Sequence, residues 1–505
     1  VCGIVGITNR ENASYFLVDA AEQIQHRGQD SAGAITWGYD KFHVRKGAGL
    51  VREVFTKDTV RAMKGRYGIS HVRYPTHGST NSRGDIERNS QPLYVEYPFP
   101  IAIEHNGQVT NTAELDELLR RSGKPLDTGC DIEYALRVFQ LELEGRERGI
   151  SNEDIFEAVG KVMDMVEGAY SVAMLMKTRK GPKLIAFSDT HKIRPLVYGR
   201  HEDSFMVASE TVAFDHLGYE YIGDVKGGEA IIFDEDGMHR ERVRKGIPRH
   251  CIFEWIYFSR PSSIIEGEEV YKFRWNVGWR QADDEISSGL WTPSMFDAFL
   301  GVPDSGAAYI HGCCSRLVQE ALEHGKISPR DAVKLMSEQG LDKNKYVGRT
   351  FIAILGERKK MLQGKFNPIR SVVEGKRVVD WDDTSIRGNT QIHKNQALRR
   401  AGAKEVHNRF IRVEHPCFFG IDMTTKNQFI ASGKDDQELA EALGADSVMS
   451  PDVERILVPS LTDIPYEHLC TGCLNGNYAT DVSELLEAAS RNCSGRPYEN
   501  DDQSI

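Results

Sequence analysis

The stretch from Arg377 to Thr390, Arg-Val-Val-Asp-Trp-Asp-Asp-Thr-Ser-Ile-Arg-Gly-Asn-Thr, restricts what this chain can fold into more than any other. A β-branched run, Val378 and Val379, reaches two adjacent carboxylates, Asp382 and Asp383. A loop of small and hydroxylated residues follows, and the pattern then predicts a helix from Gln391 to Arg400. Strand, polar loop and helix in that order are how an α/β sheet offers backbone N–H groups and a helix N-terminus to a phosphate. Thr384, Ser385, Gly388 and Thr390 allow close approach to an anion, and Arg387 adds charge. The paired aspartates repel phosphate, so they need another task. Holding Mg2+ or the hydroxyls of a ribose fits them, because hard oxygen ligands suit that cation. A solvated acidic turn is the other reading of these residues alone.

A chain of 505 residues is too long for one ordinary core, so two domains are expected. With 40% apolar and 27% charged residues, its composition is globular. No run is long and apolar enough to span a bilayer, and nothing at the start reads as a signal peptide, so no membrane partner is expected. A formal charge of −11 argues against nucleic acid as a partner. Nine irregularly spaced cysteines suggest reduced thiols in a cytoplasmic enzyme, some of them serving metal or catalysis.

The chain begins Val1-Cys2-Gly3-Ile4-Val5-Gly6-Ile7, a buried-strand pattern with a cysteine at its head. Taken bare, such a cysteine is a small buried hydrophobe or a nucleophile. Polar, glycine-punctuated segments follow: His26–Gly33, then Gly68–Gly78 with Arg73 and Thr76, then Ile101–Gly107 ending in Asn106-Gly107. The last reads as a strand closing on a tight Asn-Gly turn. Thr128 to Glu133, with Asp131, opens an amphipathic helix expected to run to about Glu147. Ser151 and Asp154 read as the start of the next helix. The charged, glycine-rich segment Glu235–Arg249 is the expected domain boundary.

In this order the N-terminal motifs resemble the glutaminase domain of the N-terminal-nucleophile (class II) glutamine amidotransferases, over residues 2 to 240. The resemblance implies that Cys2 attacks the glutamine amide while its own α-amino group relays the proton. It implies an oxyanion hole at Asn106 and Gly107. Arg73 would bind the glutamine α-carboxylate, Asp131 its α-amino group, and Arg27, Gly28 and Thr76 would shape the pocket. Val1 departs from the pattern, since an acylated Cys2 nitrogen is no base. Val1 is then an initiator position, a propeptide remnant that is removed, or the mark of a permanently blocked domain.

The stretch Arg377–Thr390 resembles the ribose-phosphate loop of the type I phosphoribosyltransferases, with Asp382, Asp383, Arg387, Gly388 and Thr390 matching. Thr384 and Asn389 replace a serine and a threonine but keep a donor. Asp380 and Trp381 stand where aliphatic residues are more usual. From Cys251 onward, the resemblance is to the amidophosphoribosyltransferase family and covers nearly the whole chain. The implied fold is α/β: an α-β-β-α sandwich glutaminase, then a transferase domain over 251 to 480 with a parallel sheet flanked by helices, then a C-terminal helix and tail over 481 to 505.

Within the transferase half, Val302–Gly306 matches the family's pyrophosphate-side loop, so Ser305 joins Asp382 and Asp383 as an expected Mg2+ contact. Lys343–Ile352 matches its mobile loop, a basic, glycine-hinged segment able to close over a polyphosphate; Lys343, Tyr346, Arg349 and Thr350 would contact phosphoribosylpyrophosphate. Cys313 and Cys314 read as core helix. Cys251, Cys417, Cys470 and Cys473 are four thiols, enough for a metal shell. In one branch of the family these positions hold a 4Fe–4S cluster, while four thiolates would also suit structural Zn2+. The resemblance further implies glutamine and phosphoribosylpyrophosphate as substrates, one Mg2+ and one cluster per subunit, feedback by purine nucleotides, and a homotetramer or homodimer. A hexosamine-forming amidotransferase would share the N-terminal half but lack the Asp382-Asp383 loop. A regulatory iron–sulfur protein that has lost glutaminase activity is the non-enzymatic reading.

Overall fold

The computed structural model describes residues 1–74, 82–97, 99–146, 149–292, 294–325, 328, 332–344, 366–421, 423 and 429–491. Two antiparallel sheets stack in the N-terminal half. The seven-stranded sheet runs Glu220–Asp224, Val197–His201, Ser204–Ala208, Gly3–Ile7, Tyr67–Arg73, Ser31–Gly38, Lys41–Ala48. The six-stranded sheet runs Gly237–Arg242, Glu229–Asp234, Gly181–Ser188, Gly168–Thr178, Ile101–Val109, Leu93–Val95. Strand alternation fills the layers. Ala102, Ala173 and Leu175 face Ile4, Ile35 and Ile69 between the sheets, whereas Ile101, Ile103, Val172 and Met174 face the helices Ile132–Leu143 and Asn152–Met165. The helix Ala13–Gln23 covers the other sheet with Ala13, Leu17, Ala20 and Ala21. The result is the expected α-β-β-α sandwich.

Two local details differ from the sequence reading. The helix that begins at Ile132 stops at Leu143, and Gly145 turns the chain at φ 82°. The charged segment after Glu235 contains the sheet's edge strand Gly237–Arg242, whose exposed polar side chains suit an unpaired edge. The helix Asn152–Met165 starts as expected, with Ser151 Oγ accepting from the Asp154 N–H at 3.2 Å and Asp154 Oδ2 accepting from the Ser151 N–H at 2.9 Å.

The C-terminal half carries a five-stranded parallel sheet, in the order Ser337–Glu338, Ala298–Gly301, Arg377–Ser385, Glu405–Arg412, Ser447–Met449. Val378 and Val406 pack on one face with Leu398 of the helix Asn389–Arg400; Val379, Trp381 and Ile411 pack on the other. The helix Ala307–Glu323 buries Cys313 and Cys314 as core. A short parallel pairing of His250–Cys251 with Leu469–Cys470 closes the chain on itself. Beyond it runs the helix Ser483–Arg491. The largest apolar cluster spans both halves, joining Val1, Ala169 and Ile193 to Cys251, Trp255 and Phe419. No helix among the described residues is long and apolar enough to cross a membrane.

Candidate active sites

Cys2 precedes a central strand of the seven-stranded sheet and is buried. Its N–H donates to Asn106 Oδ1 at 3.1 Å, and its carbonyl accepts from Arg27 Nε at 2.9 Å. Its sulfur lies 3.5 Å from both the N–H and the carbonyl oxygen of Tyr74. Burial pushes the thiol above its ordinary pKa, against the pull of the amino terminus, the Tyr74 backbone and Arg73. Asn106 shares the inward face of its strand with Ala102 and Glu104. With Oδ1 engaged by Cys2, the buried Asn106 Nδ2 has no partner among the described residues. A buried amide donor without a partner is costly unless something else accepts from it.

The expected Asn-Gly turn is not there. Asn106 and Gly107 lie inside the strand Ile101–Val109, opposite Ser171 and Tyr170. At Gly107, φ is 155° and a Cβ would stand 1.8 Å from the Ala169 carbonyl oxygen, so the strand continues only because no side chain is present.

Arg73 ends its strand buried and paired with Asp30 at 2.7 Å. Asp131 Oδ2 accepts from the Val109 N–H at 2.9 Å and stands 3.5 Å from His105 Nε2. Gly28 packs against the main chain of Arg73. The Arg27 guanidinium is committed to the Cys2 carbonyl, to Glu210 at 2.6 Å and to Glu254 at 2.9 Å. Thr76 lies outside the described residues.

In the other half, Asp382 and Asp383 are still in the strand Arg377–Ser385, both buried. Ser305 Oγ donates to Asp382 Oδ1 at 2.9 Å, and Thr384 Oγ1 donates to Asp383 Oδ1 at 2.6 Å. The loop carrying Ser305 reaches this position because Gly306 presses on the strand, where a Cβ would meet the Trp381 carbonyl oxygen at 1.9 Å. Lys343 pairs with Asp304, so the start of the basic segment stands beside Ser305. Tyr346, Arg349 and Thr350 lie outside the described residues. Ser385 Oγ is buried with no partner among the described residues, Arg387 is half-buried, and Asn389 and Thr390 open the helix that Gly388 caps.

Behind the acid pair, Lys394 is fully buried, bound to Asp380 and 3.9 Å from Asp382. Asp380 also accepts from Asn408. Trp381 stacks on Tyr309 with centroids 5.3 Å apart, which accommodates a large ring at this position. Burial, and then the neighbouring Asp382 charge, push the Asp383 carboxyl above the usual range. Three acids share one lysine here, and the remaining negative charge is a reason to take up a cation.

The third group is the four thiols Cys251, Cys417, Cys470 and Cys473, all buried. Cys251 and Cys470 are neighbours across the parallel pairing. Cys473 feels the charges of the other three, and its carbonyl accepts the N–H groups of Glu414 and His415, next to Cys417. Burial pushes Cys251 up to about 12 and Cys470 up to about 11, while the Gly472 and Ala479 N–H groups aimed at Cys470 oppose the shift. Arg194 Nη1 lies 3.6 Å from the Cys251 sulfur. Backbone donors and a guanidinium facing buried sulfurs favour thiolates, and thiolates are what a metal centre binds. Among the described residues no three His, Cys, Asp or Glu side chains stand at the spacing of a single-ion shell.

Residues 79–216 match the glutamine amidotransferase domain family. An amidophosphoribosyltransferase of Pseudomonas aeruginosa is 36% identical, over 96% of this chain and 94% of that protein. One of Methanothermobacter thermautotrophicus is 34% identical over 98% of each. The solved glutamine phosphoribosylpyrophosphate amidotransferase of Bacillus subtilis, complexed with ADP and GMP, superposes with a TM-score of 0.79 at 32% identity, covering 96% of this chain and 100% of that one. The chain belongs to the amidophosphoribosyltransferase family. Its activity is the family's, glutamine-dependent amination of phosphoribosylpyrophosphate at the head of purine synthesis. The hexosamine-forming and non-enzymatic readings are set aside by that membership.

Several residues around these amidophosphoribosyltransferase sites escape a reading of the sequence. Glu104, two positions before Asn106 on the same face, accepts from the Val5 N–H at 3.1 Å, and burial holds its carboxyl well above the usual range. Lys394 had one signal, the acidic Asp380 in an otherwise aliphatic strand position, which demands a buried partner. Arg194 and Glu210 stand in segments that resemble the family's sheet elements, but their pairing with Glu254 and Arg27 has no local signal, because the partners are distant in sequence.

Proposed function

We propose that glutamine is cleaved at Cys2 and that the released ammonia is joined to C1 of phosphoribosylpyrophosphate at the Asp382-Asp383 loop, with residues 2 to 240 forming the glutaminase and residues 251 to 480 the transferase. The observation that carries the first part is the buried Asn106 amide: one end holds the Cys2 nitrogen and the other has no partner among the described residues. In this reading the Cys2 thiolate attacks the amide carbon, and Asn106 Nδ2 and the Gly107 N–H receive the developing oxyanion. Arg73 takes the substrate α-carboxylate and Asp131 its α-amino group. The thiol proton passes to a free α-amino group on Cys2 and on to the leaving ammonia.

At the second site Thr384, Ser385, Arg387, Gly388, Asn389 and Thr390 cradle the 5-phosphate, and Ser385 Oγ is a donor already buried without a partner among the described residues. Asp382 and Asp383, with Ser305, would hold Mg2+ and the ribose hydroxyls, and Lys343, Tyr346, Arg349 and Thr350 would contact the pyrophosphate side. Mg2+ when bound neutralises charge on the departing pyrophosphate. The surplus of acid over lysine at this position fits the ion.

The four buried thiols, with Cys251 and Cys470 paired across neighbouring strands, would hold a 4Fe–4S cluster. No redox step is required, so the cluster would fasten the tail strand Leu469–Cys470 to His250–Cys251. Purine nucleotides would act as feedback inhibitors on a homotetramer or homodimer; the Bacillus subtilis relative was solved in complex with ADP and GMP.

Treatment with a glutamine-shaped diazoketone, followed by peptide mass mapping, tests the first site. A single label on an N-terminal Cys2 is expected, and labelling elsewhere would overturn the assignment. Anaerobic purification tests the cluster: about four irons and four sulfides per chain are expected, and one zinc per chain would overturn it.

A further inference from the structure

The two halves meet at one buried carboxylate. Glu254 Oε1 accepts from Arg27 Nη2 at 2.9 Å and from Arg194 Nη1 at 3.0 Å, while Oε2 accepts from Ser259 Oγ at 3.1 Å. Arg27 belongs to the glutaminase half and grips the Cys2 carbonyl through Nε. Arg194 grips the Phe419 carbonyl through Nε at 2.7 Å and stands beside Cys251. Phe419 lies between Cys417 and Gly420, and a Cβ on Gly420 would come within 3.0 Å of the Gly107 carbonyl oxygen. The loop bearing one thiol therefore rests on the glycine of the expected oxyanion hole.

We propose that Glu254 is a positioning residue for the glutaminase reaction: it sets Arg27 against the Cys2 carbonyl and, through Arg194, ties that setting to the thiol-bearing loop of the transferase half. The inference rests on the assignment of Cys2 as nucleophile. Its physical basis is that Cys2 stands just ahead of the strand Gly3–Ile7, where side chains hold both its nitrogen and its carbonyl. Asn106 holds the nitrogen and Arg27 the carbonyl, and the thiol meets the main chain of Tyr74. A guanidinium whose remaining nitrogens face Glu210 and Glu254 is held in one orientation. Two arginines share the single oxygen Glu254 Oε1, and both are fully buried. Burial raises the Glu254 carboxyl, but Arg27 and Arg194 outweigh that and hold it below its usual range, so it is ionised. Removing its charge leaves two buried guanidinium groups facing each other, and Arg27 must swing toward Glu210, taking the Cys2 carbonyl with it.

A purely structural clamp would fail differently, lowering both nitrogen sources together. The test uses the full-length, metal-loaded enzyme with glutamine or free ammonia as nitrogen source, and the rate of Cys2 alkylation by the glutamine-shaped diazoketone. Glu254→Gln is expected to lower glutamine-dependent kcat by about tenfold or more, as small misplacement of a nucleophile does. The KM for glutamine and ammonia-dependent turnover should stay within about twofold, with alkylation slowed in step. Ser259→Ala keeps every charge and should slow alkylation in the same direction by a smaller factor, and Glu254→Asp should recover part of the Glu254→Gln loss. Unchanged alkylation in a folded Glu254→Gln protein overturns the proposal, as does an equal loss of both nitrogen sources. Should Glu254→Gln fail to fold, unchanged alkylation in Ser259→Ala overturns it. Absence of Cys2 alkylation in the unsubstituted enzyme would instead overturn the Cys2 assignment itself.

Discussion

Two buried clusters of charge lie behind the two proposed reacting centres, and they are balanced differently. Behind Cys2, Arg27 and Arg194 meet Glu210 and Glu254, as many positive groups as negative, with His26 adding to Glu210 at 2.8 Å. Behind the transferase loop, Asp380, Asp382 and Asp383 meet one buried lysine, Lys394. The first cluster is closed: its hydrogen bonds are spent on protein, and what it supplies is orientation. The second is open, with carboxylate charge left for something from outside. Net charge in a buried cluster thus separates a clamp from a binding site, although both look like ion-pair networks.

The largest test of that separation removes the proposed nucleophile. Cys2→Ala should lower glutamine-dependent synthesis by about 10³-fold or more while ammonia-dependent synthesis stays within a few fold. Equal loss of both, measured as product formed from each nitrogen source, would merge the two sites. Asp383→Asn should next lower synthesis from either source by about 10²-fold, the scale of one lost electrostatic contact to the transition state. Unchanged turnover would remove the loop from the chemistry.

A stability experiment sharpens the contrast. Lys394→Met should destabilise the protein by about 3–5 kcal/mol in denaturant titrations, because it strands Asp380. The Asp380→Leu, Lys394→Met double variant should recover most of that loss. No recovery would mean that Lys394 serves the acid pair more than Asp380.

The smallest effect is thermodynamic. Mg2+ at about a hundredfold over its Kd should add about 2.7 kcal/mol to stability, and Asp383→Asn should abolish the gain. The sign with pH follows from the raised Asp383 carboxyl. Without the ion, stability is lost as pH rises from the unfolded carboxylate value through the raised folded one, and Mg2+ should cancel that loss. A Mg2+-independent pH profile would contradict the open character of the cluster.

The fold class was legible because its signals are local: alternation in the strands, Ser151 and Asp154 at a helix start, and the small residues after Asp383. The thiols were legible as a set only by count and resemblance. Asn106-Gly107 misled because the same dipeptide serves a hairpin turn and a close strand crossing; only the approach of the Ala169 carbonyl decides between them. Glu254 was invisible for a simpler reason. Its partner Arg27 lies 227 positions away, and no periodicity links a buried acid to a base at that distance. Thr76, Tyr346, Arg349 and Thr350 remain expectations from sequence.

The apolar cluster joining Ala169 and Ile193 to Trp255 and Phe419 has a consequence for how such a chain can be rebuilt. An excised glutaminase, cut after its last strand at Arg242, would bare these side chains to water and leave Arg27 and Arg194 without Glu254. The two catalysts are therefore not portable parts that can be separated, swapped or expressed alone. Any hybrid built from this enzyme has to carry the segment from Cys251 to Ser259 and the loop from Cys417 to Ile421 along with its first half.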